Sequence, residues 1–152
     1  MVALALAASY DALLAEAAAG GFFDPAAGWS APLILAHIAA NDGLLTQVTL
    51  AVARGISQPY DNATVSEETT LRAYADRLGW DGLLIEVRTG ADALMAAAGA
   101  MTAAQGQQLV DARVIDDGKI VMDDAVPWIR MLMAHASHHL PAHTRALAAL
   151  RR

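Results

Sequence analysis

Four of the five histidines of this 152-residue chain fall in one short run, His135-Ala136-Ser137-His138-His139-Leu140-Pro141-Ala142-His143, and the fifth is His37. His135 and His139 are four residues apart, so in a helix both project from one face, one turn from each other. Two rings so spaced can converge on one cation at about 2.0–2.1 Å. A lone histidine on an apolar face, such as His37, is more often a hydrogen-bonded core residue than a ligand. A His-x-x-x-His pair by itself is also a weak signal. Their conjunction is stronger. Three imidazoles on the inward faces of two helices are costly to bury without a common partner, and a divalent metal is the economical one.

The elements that must position these rings follow from periodicity. Residues 3–19 carry Leu6, Tyr10, Leu13 and Ala17 at helical spacing, and Gly20-Gly21 ends that helix. Ser30 is a candidate N-cap with Pro32 in the first turn, opening a helix that runs to about Arg54. Its apolar face is Leu33, Ile34, His37, Asn41, Leu44, Val48 and Val52, which puts His37 mid-stripe. Residues 55–65 form a loop by composition. A third helix follows to about Ala100, with Thr64 and Glu67 resembling a capping box, Ser66 as rival cap, and Gly79 and Gly82 as sites of a kink. Thr102 and Gln105 are suited to capping a short turn, and residues 109–122 predict a small hairpin around Asp116-Asp117-Gly118. Asp123 or Asp124 is then expected to cap a last helix to about Leu150. Its stripe is Trp128, Leu132, His135, His139, His143, Ala146 and Leu150, bent at Pro141.

The remaining polar residues near these rings have more than one reading. His138 is turned toward the rim and reads as a surface residue or a nearby proton carrier. His143 continues the stripe and reads as a fourth ligand, an acid/base or a core residue. Asn41, one turn from His37, is placed to fix that ring's tautomer; Asp42 is the other candidate for supporting the site, though its angle fits a solvated face equally well.

Composition narrows the chemistry. Alanine accounts for 36 residues and aromatics for 5%, which predicts one all-α domain over 1–152, a four-helix bundle built from small and aliphatic side chains. The absence of cysteine removes disulfides, thiolate metal sites and a cysteine nucleophile. A net charge of −6 with no basic stripe argues against nucleic acid. Asp11, Glu16 and Asp42 interrupt the apolar runs, so no membrane span is expected. With the first basic residue at Arg54, no secretory leader is expected either, and the chain reads as cytoplasmic. The four glutamates do not form the Glu-x-x-His pairs of di-iron bundles, and Ala136-Ser137 breaks the His-Glu-x-x-His pattern of zinc proteases. Two ligands on one helix face also suit a haem poorly. Three neutral imidazoles with open positions suit zinc, nickel or another first-row ion, zinc or nickel before the others.

Two stretches carry a family likeness: Trp29-Ser30-Ala31-Pro32-Leu33-Ile34-Leu35-Ala36-His37-Ile38-Ala39-Ala40-Asn41-Asp42 and Met133-Ala134-His135-Ala136-Ser137-His138-His139. They resemble the DinB-like (YfiT-like) metalloenzymes, a superfamily that includes mycothiol-dependent maleylpyruvate isomerases. The resemblance implies an up-down-down-up four-helix bundle, homodimers, and metal ligation by His37, His135 and His139. Leu140, Pro141 and His143 depart from the residues usual after the paired histidines, which leaves the substrate open. The expected function is a metal-dependent enzyme acting on a small molecule. It would be an S-transferase or isomerase using a low-molecular-weight thiol, or a hydrolase, with His143 or His138 moving the proton. The other reading is a non-catalytic metal-binding bundle, a dimer acting as sensor or interaction module.

Overall fold

Alanine-rich segments with apolar residues three and four apart form the expected helices. The structure, a computed structural model, describes residues 1–151 and is mostly helical with one small sheet. Helix α1 (Val2–Ala19) buries Leu6, Tyr10, Leu13 and Ala17, and stops where Gly20 turns to a φ of 65°. Helix α2 (Ala31–Ala53) starts from an extended Ser30, which makes no side-chain capping bond. Helix α3 (Glu68–Ala100) is broken at Gly79, whose φ of 66° is a left-handed conformation that glycine adopts at little cost. The expected Thr64–Glu67 capping box is absent. Residues Thr64–Ser66 form a 3₁₀ turn, Glu67 takes the N-cap position, and its carboxylate accepts from the Thr70 hydroxyl. Thr102 and Gln105 do form a reciprocal capping box on the short helix α4 (Ala103–Gly106).

Three strands lie between the long helices. The hairpin is longer than its turn signal suggested: β2 (Leu109–Asp116) pairs antiparallel with β3 (Lys119–Pro127). Asp117 and Gly118 both have positive φ, 48° and 70°, as a two-residue hairpin turn requires. Because β3 continues through Asp123 and Asp124, neither aspartate caps the last helix. That helix starts after Pro127, as α5 (Trp128–Ala134). Composition alone did not reveal β1 (Tyr60–Asp61), which joins β2 in parallel and anchors the 55–65 segment across the hairpin.

The last helix is not uniform. After α5 it passes through a π turn (His135–His139) and resumes as α6 (Leu140–Ala149). Pro141 has no N–H to give, and the chain accommodates it with this wider turn rather than a simple bend. The Leu140 N–H reaches back five residues to the His135 carbonyl. In that register Pro141 would face the carbonyl of Ala136, and the Ser9 hydroxyl from α1 donates there instead, at 2.7 Å.

The core is built from Tyr10, Leu35, Ile38, Leu45, Leu83, Leu94, Trp128 and Leu132, all essentially without solvent contact. Trp128 donates its indole N–H to Thr49 Oγ1 at 2.9 Å, tying the last helix to α2. By length and composition α1 and α2 are each apolar enough to cross a membrane, contrary to the expectation from their charged residues. The best 18-residue windows have mean hydropathies of 1.5 and 1.2. The α2 window is 67% buried inside the protein and the α1 window 28%.

Candidate metal centre

Helix α2 brings His37 to the centre of its buried face, and the π turn and α6 bring His139 and His143 opposite it. The Nε2 atoms of His37 and His139 are 2.9 Å apart, and those of His139 and His143 are 3.2 Å apart. One ligand nitrogen from each ring lies within 4.8 Å of the others, so His37, His139 and His143 form a group able to hold a metal ion. Trp29 covers it, with its ring 5.0 Å from that of His37 and stacked on His143 at 6.3 Å.

Helical spacing alone groups His135 with His139 and His37 and gives His143 no single role. The π turn changes the arrangement. One extra residue in a turn rotates everything beyond it by about 100° relative to an uninterrupted α-helix. His139 and His143 therefore share the face toward His37. His135 stacks against His139, its ring centroid 4.9 Å away, but its Nε2 faces elsewhere: Tyr10 Oη and Asp42 Oδ1 both lie 3.1 Å from it.

The supporting residues also differ from expectation. Asn41 does not reach His37; it accepts a 2.6 Å hydrogen bond from the Tyr60 hydroxyl. The tautomer of His37 is fixed by a backbone group instead. Its Nδ1 lies 2.6 Å from the Val65 carbonyl, which can only accept, so Nδ1 carries the proton and Nε2 presents a lone pair. No side-chain pattern could have announced that carbonyl. Asp42 is fully buried behind His135. His138 is exposed and outside the cluster.

Electrostatics favour neutral rings. Burial lowers the pKa of His37, and the nearby Val65 carbonyl and Asp42 only partly oppose it. Burial, then repulsion from His135, His143 and His37, pushes His139 far below the ordinary histidine value. His143 falls to about 3, again through burial first and neighbouring imidazoles second. Neutral imidazoles are the form that binds metals.

Whether these residues fit a metal can be judged from their protons. His37 Nε2 has no hydrogen. If His139 carries its proton on Nε2, that one hydrogen serves at most one of its two neighbours well. If it is on Nδ1, the N–H is buried without a partner among the described residues. Either way a polar group is left unsatisfied at a cost. A divalent cation accepts all three lone pairs at once. Ligands about 2.0–2.1 Å from a common zinc stand roughly 3.3 Å apart, close to the 2.9 and 3.2 Å separations on either side of His139.

A cleft of about 290 Å³, lined by Asp24, Pro25, Gly28, Ser30, Leu33 and Arg72, opens beside the start of α2, one turn before His37. No family model, curated protein or solved structure matches the chain.

Proposed function

We propose that His37, His139 and His143 hold a divalent transition metal, zinc or nickel, in a metal-dependent enzyme of the DinB-like kind. The observation that carries this is the convergence of three ring nitrogens from two distant segments, within 4.8 Å of one another, with His37 buried and His139 and His143 half-buried in a setting that favours neutral rings. Such a metal supplies Lewis acidity and favours the deprotonated form of a water or thiol. The chain's own residues do the rest. The Val65 carbonyl orients His37. Trp29 packs against His37 and His143. The cleft near the start of α2 is lined by Ser30, Leu33 and Arg72 and by none of the three histidines, so a substrate would have to reach the metal past Trp29. Without cysteine, thiol chemistry here requires a thiol carried in by another molecule. The reaction is then S-transfer or isomerisation with such a thiol, or hydrolysis.

A second reading, a metal-stabilised homodimer acting as a sensor or interaction module, is favoured by one feature. Helix α1 is strongly apolar yet little buried, with Leu4 76% exposed. The deciding experiment is elemental analysis of purified protein, followed by thiol-transfer and hydrolysis screens on metal-loaded chain and on His139→Ala. Metal-dependent turnover lost in the variant supports the enzyme. Stoichiometric metal with no turnover and a stable dimer supports the second reading.

A further inference from the structure

Behind the three-histidine group is a second cluster that it does not use. Tyr10 of α1, Asp42 of α2 and His135 of the π turn meet at one point, each at most 4% exposed. Both Tyr10 Oη and Asp42 Oδ1 lie 3.1 Å from the same atom, His135 Nε2. That nitrogen has either one hydrogen or one lone pair, so it cannot accept from the phenol and donate to the carboxylate together. If Tyr10 donates to it, the Asp42 oxygen faces a lone pair. Neither Asp42 oxygen has a well-aligned hydrogen-bond partner among the described residues. Gly90 of α3 lies against Asp42: a Cβ added there would stand 3.2 Å from Asp42 Cβ and 3.6 Å from Oδ2. Among the described residues, the only candidate donors to the Asp42 carboxylate are the Tyr10 hydroxyl and the His135 ring, which also face each other. A fully buried carboxylate so thinly served is costly, and a positive ion beside it offsets that cost.

We infer that Tyr10, Asp42 and His135 form a second cation site, so that the bundle holds a pair of metal ions. One nitrogen and two oxygens are a harder donor set than three imidazoles, and suit a first-row divalent ion of the manganese, iron or zinc type. The stacking of His135 on His139, centroids 4.9 Å apart, makes the two sites immediate neighbours. The inference extends the three-histidine reading, and one measurement separates their failures.

Chelator-stripped chain is titrated with Co²⁺, and bound metal is counted after gel filtration, with the visible spectrum recorded at each addition. The expected result is two equivalents per chain for wild type and one for Asp42→Asn. The retained equivalent should keep the spectrum of the first ion bound. His143→Ala should also hold one equivalent, with the other spectrum. A wild-type capacity of one overturns the second site alone, as does an Asp42→Asn variant that still binds two. A wild-type capacity of zero overturns both sites. Should Asp42→Asn fail to fold by circular dichroism, the wild-type count decides.

Discussion

The Nε2 atoms of His37 and His139 stand 2.9 Å apart across 102 residues of sequence. His37 has its proton on the other nitrogen, pinned by Val65, so one of these two atoms is a bare acceptor. His143 Nε2, 3.2 Å from His139, adds a third nitrogen and no third partner. The arrangement has more acceptors than its protons can serve, as a cation site does.

The ligand set is tested by single substitutions. At free metal about 100-fold above Kd, binding to the native state adds about 2.7 kcal/mol, or roughly 5–10 °C in Tm for a chain of this size. In an Asp42→Asn background, which removes the inferred second site, His37→Ala, His139→Ala and His143→Ala should each lose the rise produced by the first equivalent of zinc. His138→Ala, at an exposed position outside the cluster, should keep it. A full rise in His143→Ala would remove that residue from the set.

Acid should destabilise the metal-free chain in a defined window. The folded-state pKa values of His37, His139 and His143 are lowered, while the unfolded chain titrates near the ordinary value of about 6.5. Below that pH the unfolded state binds protons that the native state refuses, so stability falls as pH falls. The loss attributable to His143 runs from about 6.5 down to its folded value of about 3. Tm measured from pH 8 to pH 5 should be flat above 7 and decline below it. His143→Gln should decline less steeply, and an unchanged slope would show that this ring is not buried neutral.

Much of this site was visible in the sequence, because face arithmetic on a regular helix is reliable. It put His37 on the buried face of α2 and His139 opposite it, and both are found there. The exchange of His135 for His143 was not visible, because the arithmetic assumes a constant rotation per residue and Pro141 sits where that assumption fails. The two-residue strand β1 was missed for another reason. Tyr60 and Asp61 pair with Ala112 and Arg113, and no local pattern encodes a partner so far along the chain. Asp123 and Asp124 have the right chemistry for a helix cap, but pairing with Arg113 and Ala112 holds them in a strand.

The π turn is itself open to test. Pro141→Ala restores an N–H that can return to the Ser137 carbonyl and let the helix tighten into α form. This variant touches no proposed ligand, yet it should weaken zinc binding at least tenfold by rotating His143 away from the face it shares with His139 toward His37. Unchanged affinity would mean that the turn is held by packing alone. Ser9→Ala probes the same feature from α1. It leaves the Ala136 carbonyl without its donor and should cost about 1–3 kcal/mol in urea unfolding.

Two helical glycines should respond in opposite ways to the same substitution. Replacing glycine by alanine inside a helix ordinarily stabilises by up to about 1 kcal/mol, because the unfolded chain loses freedom. Gly43 of α2 has open space where a Cβ would go, so Gly43→Ala should show that gain as a higher urea midpoint. A Cβ on Gly90 of α3 would instead stand 3.2 Å from Asp42 Cβ and 3.6 Å from Asp42 Oδ2. Asp42 is fully buried and confined between α3 and His135, so it has little room to yield. Gly90→Ala should therefore forfeit the helix gain and push the carboxylate toward His135. The expected outcome is a midpoint at or below wild type, with altered metal affinity in Gly90→Ala and none in Gly43→Ala. Equal gains at both positions would show that α2 and α3 can separate without disturbing Asp42.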